Sequence, residues 1–256
     1  MTRSLMDSLW RARLDDTQIA RTQPGAPADF AAAYTLQLAF LETLDMPCLG
    51  WKLGATSEQS MAMLGVDTPF IGPLLEQFCQ PSGADMALPR NQSPGIETEF
   101  TIRLGAALPP RATPYDRDTV DGAIDAIVPS FEIVASRLEG GPVGAGPMLA
   151  ADFGANGGAV MGSPCSDWSS LNLHDHPVTL TINDETVAES SNVGLMWDHL
   201  FDAVVWLANH PALASRGLQA GDLIMTGTCT GLLPVKPGDQ AVADFGAIGK
   251  VGTRFT

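Results

Sequence analysis

Glu97 and Glu99 stand two residues apart in the stretch Pro94 to Phe100, PGIETEF, and alternate with Ile96, Thr98 and Phe100. Period-two alternation with β-branched and aromatic residues predicts a strand. On a strand, residues two apart project from the same face. Two carboxylates side by side repel, so such a strand either turns the pair into water or gives it a cation. A third carboxylate, Glu132, sits in Val128 to Val134, VPSFEIV, among apolar, β-prone neighbours. Ionised and buried there, it needs a partner: a nearby base such as Arg137, or a cation shared with the pair. Three converging carboxylates form an oxygen-only set suited to a hard divalent ion, Mg2+ or Mn2+, with positions left for water or substrate.

Lys52 is the second unusual residue. It lies in Cys48 to Gly54, CLGWKLG, where every neighbour is small or apolar, in a chain with only 14 basic residues. Either its stem runs along an apolar wall to a solvated head, or it is an electrostatic clamp or proton-transfer group beside the carboxylates.

What is missing narrows the chemistry. His174, His176, His199 and His210 all fall in the last third, and no G-x-S-x-G, H-E-x-x-H or Walker A sequence occurs. His174-Asp175-His176 sits in a turn-like stretch and reads as surface loop. Cys48, Cys79, Cys165 and Cys229 are far apart and form no C-x-x-C pair. That argues against zinc and for reduced thiols. The net charge of −15, with no basic cluster, excludes a nucleic-acid backbone as partner. No apolar run reaches the roughly 18 to 20 residues of a membrane span, and the charged start MTRSLMDSLWRARLDD lacks a signal-peptide core. A cytoplasmic location is the expectation.

The elements that must position these residues follow from the same pattern. The 256 residues suffice for one large domain or one with a smaller companion, and 26 Gly and 19 Pro point to a turn-rich α+β chain. Residues 1–47 read as a helical N-terminal segment. Leu5, Leu9 and Trp10 share one face, and Phe30, Ala33, Tyr34, Leu38, Leu41 and Leu44 recur at helical spacing. Residues 48–256 read as a β-rich body. Within it a helix is expected over Asp118 to Ile127, on Val120, Ile124 and Ile127. A second is expected on Met196, Leu200, Val204 and Leu207. A hairpin should turn at Asn183-Asp184, and two Gly-Asp turns, at Gly221 and Gly238, should each launch a strand.

Several motifs follow one another in order: Gly50-Trp51-Lys52-Leu53-Gly54-Ala55-Thr56-Ser57, Leu64-Gly65-Val66-Asp67 followed by Gly72, Ile96-Glu97-Thr98-Glu99, and Pro129-Ser130-Phe131-Glu132 with Ser136-Arg137. Ala151-Asp152, Trp206-Leu207-Ala208-Asn209, and Gly221-Asp222 through Thr226-Gly227-Thr228 complete the set. Together they resemble the fumarylacetoacetate hydrolase superfamily, most closely its branch of 2-oxopent-4-enoate hydratases and 4-oxalocrotonate decarboxylases. The resemblance runs from about Trp51 to Phe255. It implies a mixed β-sheet roll with a helical N-terminal part. It also implies Mg2+ or Mn2+ on Glu97, Glu99 and Glu132, an active-site lysine at Lys52, and a substrate pocket lined by the segments of Asp152 and Thr226. The activity implied is hydration of a 2-hydroxy-2,4-dienoate to a 4-hydroxy-2-oxo acid in the breakdown of aromatic or related rings. Decarboxylation of a 4-oxalocrotonate-like acid, C–C hydrolysis of an acylpyruvate, and a non-catalytic partner subunit are the alternatives. A homo-oligomer is implied, with possible association to a related hydratase or decarboxylase. Two stretches depart from the branch. Phe70 stands where many of its hydratases carry an acid, and Phe153-Gly154-Ala155 replaces an Asn-Ala-Ser run. Hydrolases of the wider superfamily use a His–Glu pair on an N-terminal lid. This chain has no histidine before His174, so weak acylpyruvate hydrolysis is expected.

Overall fold

The structure is a computed structural model and describes residues 4–256. Two helices come first, α1 (Leu5–Leu14) and α2 (Phe30–Leu41). Each has an N-terminal oxygen cap: Ser4 accepts from the Asp7 N–H and Asp29 from the Ala32 N–H. Strand β1 (Cys48–Gly54) follows, then α3 (Glu58–Leu64) and β2 (Phe70–Leu75). The Thr56-Ser57 end of the lysine motif starts α3, through a reciprocal cap between Ser57 and Ser60. Short strands β3 (Cys79–Pro81) and β4 (Asp85–Met86) lead to the long strand β5 (Gly95–Leu104). After α4 (Arg117–Asp121) come β6 (Ile124–Val134), α5 (Pro147–Ala151) and β7 (Asn156–Met161). The last third holds β8 (Val178–Ile182), β9 (Glu185–Ser190), α6 (Asp202–Ala208), β10 (Leu223–Thr228), β11 (Leu233–Pro234), β12 (Gln240–Asp244) and β13 (Lys250–Phe255).

The strands form two mixed sheets, as expected of an α+β roll. The larger runs β2-β1-β10-β5-β6-β7-β3, with β11 on the end of β5, and the smaller runs β4-β13-β12-β8-β9. On β5 the predicted alternation holds. Ile96, Thr98, Phe100 and Ile102 are wholly buried, and Phe100 meets Phe245 of the smaller sheet edge-on at 4.8 Å between ring centroids. Glu97, Glu99 and Thr101 therefore point the other way. The helical segment lies against the larger sheet and shares its core. Gln37 of α2 donates to the carbonyls of Ile71 and Ala150, and Trp10 of α1 packs on Phe40 and Phe153.

The Asn183-Asp184 turn is present, with φ of 53° and 65° at its two central residues, the conformation that suits a two-residue hairpin. Both Gly-Asp turns launch strands, β10 and β12. Three helix expectations change. Residues between Leu14 and Phe30 are not helical, and Ile19 bridges Leu138 instead. The helix expected over Asp118 to Ile127 stops at Asp121, because Gly122 follows and the β-branched run from Ile124 is claimed by pairing with β5. The helix expected from Met196 is regular only over Asp202–Ala208. Upstream, the Met196 N–H bonds to the Thr56 carbonyl and the Trp197 indole to the Thr226 carbonyl. These tertiary bonds displace helical ones, and Met196 lies 42% exposed rather than in the core. All four cysteines are free. No helix among the described residues is long and apolar enough to cross a membrane.

Candidate metal centre

Pairing of β5 with β6 sets Glu97 directly opposite Glu132, and Glu99 opposite Ser130. All three carboxylates fall on one face, where one oxygen from each lies within 4.8 Å of the others. Among the described residues this is the only such group of three potential ligands. Glu99 and Glu132 are completely buried. Glu99 Oε1 and Glu132 Oε2 have no hydrogen-bond partner, although unpaired buried carboxylate oxygens are costly. Burial, the Glu132 charge and, against them, Lys52 push Glu97 up to about 7. Burial and the charges of Glu132 and Glu97 push Glu99 well above the usual carboxylate range. A divalent cation among these oxygens would satisfy both orphans and offset the repulsion, so the donor set fits Mg2+ or Mn2+.

Two other oxygens of the cluster accept from groups to which the sequence reading gave no role. Gly227 N–H donates to Glu99 Oε2 at 2.8 Å. It reaches the carboxylate because β10 breaks register with β5 between Met225 and Thr228, a bulge that turns a main-chain donor inward. Gly227 has φ +114° and no room for a Cβ beside Thr56. Asn156 Nδ2 donates to Glu132 Oε1 at 2.9 Å. The only sequence signal for either was a glycine after the Thr226 strand and an amide in the Ala-Asn-Gly-Gly run.

Lys52 is 3% exposed, and its Nζ lies 3.3 Å from Glu132 Oε1. The base paired with Glu132 is thus Lys52 rather than Arg137, and the ammonium does not reach out to solvent. Its position is enforced from behind. The ring of Phe70 lies under it, 5.0 Å from Nζ to centroid. A Cβ on Gly154, whose φ is +65°, would strike Lys52 Cε at 2.7 Å. Two of the departures from the branch pattern are therefore the packing around the lysine.

Asp152 and Thr226 sit beside the site but not on its wall. Arg137 Nε bonds Asp152 Oδ1 at 2.6 Å, while the Arg137 N–H and Ser136 hydroxyl take Oδ2. Burial pushes Asp152 up against the pull of Arg137. Arg137 also donates to the carbonyls of Ala135 and Asn156, so the pair fixes the segment that carries Asn156. The Thr226 hydroxyl is spent on the Phe100 carbonyl at 2.8 Å. Both side chains are wholly buried and already hydrogen-bonded within the chain.

A cavity of about 240 Å³ opens beside Lys52 and Glu97, bounded by Thr56, Phe70, Ala155 and Thr228. No histidine lines it, and His176 instead bonds the Phe245 carbonyl. The arrangement offers a place for one cation, a buried ammonium next to it, and room for a small acid across both.

The chain matches the model of the fumarylacetoacetate (FAA) hydrolase C-terminal family over residues 66–256. It is 31% identical over 231 residues to 4-oxalocrotonate decarboxylase of Pseudomonas putida, covering 88% of this chain and 85% of that one. It is likewise 31% identical over 207 residues to 2-keto-4-pentenoate hydratase 1 of Dechloromonas aromatica (strain RCB), covering 81% and 77%. A solved structure of 4-oxalocrotonate decarboxylase from Pseudomonas putida G7, complexed with magnesium and adipate, superposes with a TM-score of 0.87 at 28% identity, covering 98% and 96%.

Proposed function

Because the chain belongs to the fumarylacetoacetate hydrolase family, whose relatives here are hydratases and decarboxylases, we propose that it is a divalent-metal-dependent hydratase. Its substrate would be a 2-hydroxy-2,4-dienoate of the 2-oxopent-4-enoate type, and its product a 4-hydroxy-2-oxo acid. Glu97, Glu99 and Glu132 would hold Mg2+ or Mn2+, and Lys52 would be the catalytic cation. The observation that carries the reading is the pair of orphaned, fully buried oxygens in a three-carboxylate cluster, with an ammonium 3.3 Å from one member. The decarboxylase relative's complex with magnesium and adipate supports a divalent ion and a carboxylic acid ligand.

When bound, the ion supplies Lewis acidity toward the carboxylate and carbonyl oxygens of a 2-oxo acid. The chain's own part is positional and electrostatic. Lys52 Nζ donates a hydrogen bond to the oxygen that gains negative charge as the dienol ketonises, a preorganised donor held by Phe70, Gly154 and Glu132. Asn156 and the Gly227 N–H keep Glu132 and Glu99 aimed inward.

Decarboxylation is the second reading. It is favoured by the near-complete superposition on the decarboxylase, which extends over the N-terminal helices. The same electron sink would accept the pair left by departing CO₂. C–C hydrolysis has less support, since no histidine lines the cavity to activate water. The deciding experiment incubates the purified chain, alone and with Mg2+, with a panel of 2-hydroxydienoates with and without a second carboxylate. Hydration products from the purified chain support the reading. CO₂ release outpacing hydration reverses the order, and no turnover by the chain alone points to a partner subunit.

A further inference from the structure

The cavity has two chemically different ends. At the buried end Lys52 and Phe70 are 3% and 2% exposed, beside Glu97. At the open end the wall is apolar: Met63, Val143 and Leu232 all line it and are 54%, 50% and 45% exposed. The polar groups beyond Lys52 are neutral hydroxyls, and those of Ser57, Ser60 and Thr228 are already bonded within the chain. Among the described residues, Lys52 is the only Lys, Arg or His on the wall.

We propose that this cavity selects 2-oxo acids, and their enols, with an uncharged apolar tail, and rejects those with a second carboxylate at the far end. The inference rests on the carboxylate cluster and Lys52 receiving the 2-oxo acid head. With the head there, the only wall cation is engaged. A distal carboxylate held against Met63, Val143 and Leu232 would lose part of its hydration with no wall cation among the described residues to meet it, which is unfavourable for a charge. The chain's net charge of −15 adds a field that disfavours a second anionic group. An alkyl or alkenyl tail gains from covering the same three side chains. Their exposure is thereby explained as the open end of a substrate channel.

The test is binding, read by calorimetry on the full chain with Mg2+. The probes are 2-oxohexanoate and 2-oxohexanedioate, which are saturated, match in length and differ by one carboxylate. The monocarboxylate is expected to bind tighter by at least roughly tenfold, equivalent to about 1.4 kcal/mol. Met63→Arg, on the surface of α3, and Val143→Arg, in a loop, should each narrow or reverse that ratio by supplying the missing cation. Equal or tighter dicarboxylate binding by the unaltered chain overturns the tail assignment while leaving the head reading intact. Failure of both probes to bind overturns the head reading, and the proposal with it. If both arginine variants change the oligomeric state without moving the ratio, the rim is a contact between copies and the assignment is wrong.

Discussion

Lys52 Nζ and Glu132 Oε1 lie 3.3 Å apart, although their strands, β1 and β6, are separated in the larger sheet by β10 and β5. Flat strands at a spacing of about 4.8 Å would put them roughly 14 Å apart at the backbone. Curl of the sheet and the length of the lysine close that gap. Folding of the whole sheet, rather than any local segment, thus creates the ion pair on which the proposed chemistry depends.

Replacing Lys52 with Met should lower turnover of the best dienol by about a hundredfold to a thousandfold, the usual cost of one preorganised donor. Metal binding and fold should persist. Lys52→Arg should not restore full rate, because a broad planar guanidinium cannot occupy the ammonium's place between Phe70 and Glu132 without shifting the ligand. Near-normal turnover by Lys52→Met would remove the lysine from the mechanism.

Asn156→Ala should weaken Mg2+ binding by about tenfold to a hundredfold, the scale for a group that orients a ligand. The readout is a metal titration followed by calorimetry. A variant with unchanged affinity would mean that Asn156 braces only its own strand.

Breaking the buried Arg137–Asp152 pair should be severe. Arg137→Met leaves the Asp152 carboxylate without its main partner and should cost about 3–5 kcal/mol in urea unfolding. The double change Arg137→Met with Asp152→Leu should recover part of that loss. If the single variant unfolds like the parent, the pair does not brace the Asn156 segment.

The pH dependence of the metal-free chain has a definite sign. Burial and the Glu132 charge push Glu97 up to about 7, above the unfolded carboxyl value of about 4.3. The folded state therefore binds the proton more tightly. Its contribution is fully present below the unfolded value and is lost as pH rises through about 7. Thermal melts of metal-free wild type and Glu97→Gln should converge near pH 5, with wild type the less stable near pH 8. A constant difference between the two across that range would contradict the cluster's electrostatics.

The two-residue alternation made the shared face of Glu97 and Glu99 legible, and apolar neighbours marked Glu132 as buried, while for Lys52 they left a solvated head and a clamp in the wall both open. What sequence spacing does not carry is which wall a buried side chain faces. Asp152 and Thr226 were therefore expected on the pocket, yet they serve Arg137 and the Phe100 carbonyl. The roles of Gly227, quoted only within its motif, and of Asn156 were not legible because one acts through a bulge and the other across a strand pair. The shortened helices at Asp121 and Asp202 have a related cause. The spacing of Val120, Ile124 and Ile127 spans a helix–strand junction, and Trp197 is drawn out of any helix by the Thr226 carbonyl.

The most direct measurement is the Mg2+ response of thermal stability in wild type, Glu132→Gln and Glu99→Gln. In wild type, an ion at 100 times its dissociation constant should add about 2.7 kcal/mol and raise Tm accordingly. Both variants should lose that response. Without metal, Glu99→Gln should melt at or above the parent, since a crowded, orphaned carboxylate is gone, whereas Glu132→Gln strips the buried Lys52 of its partner and should melt lower. A Mg2+-induced rise of equal size in all three proteins would show that the ion binds elsewhere and that Glu97, Glu99 and Glu132 do not form its site.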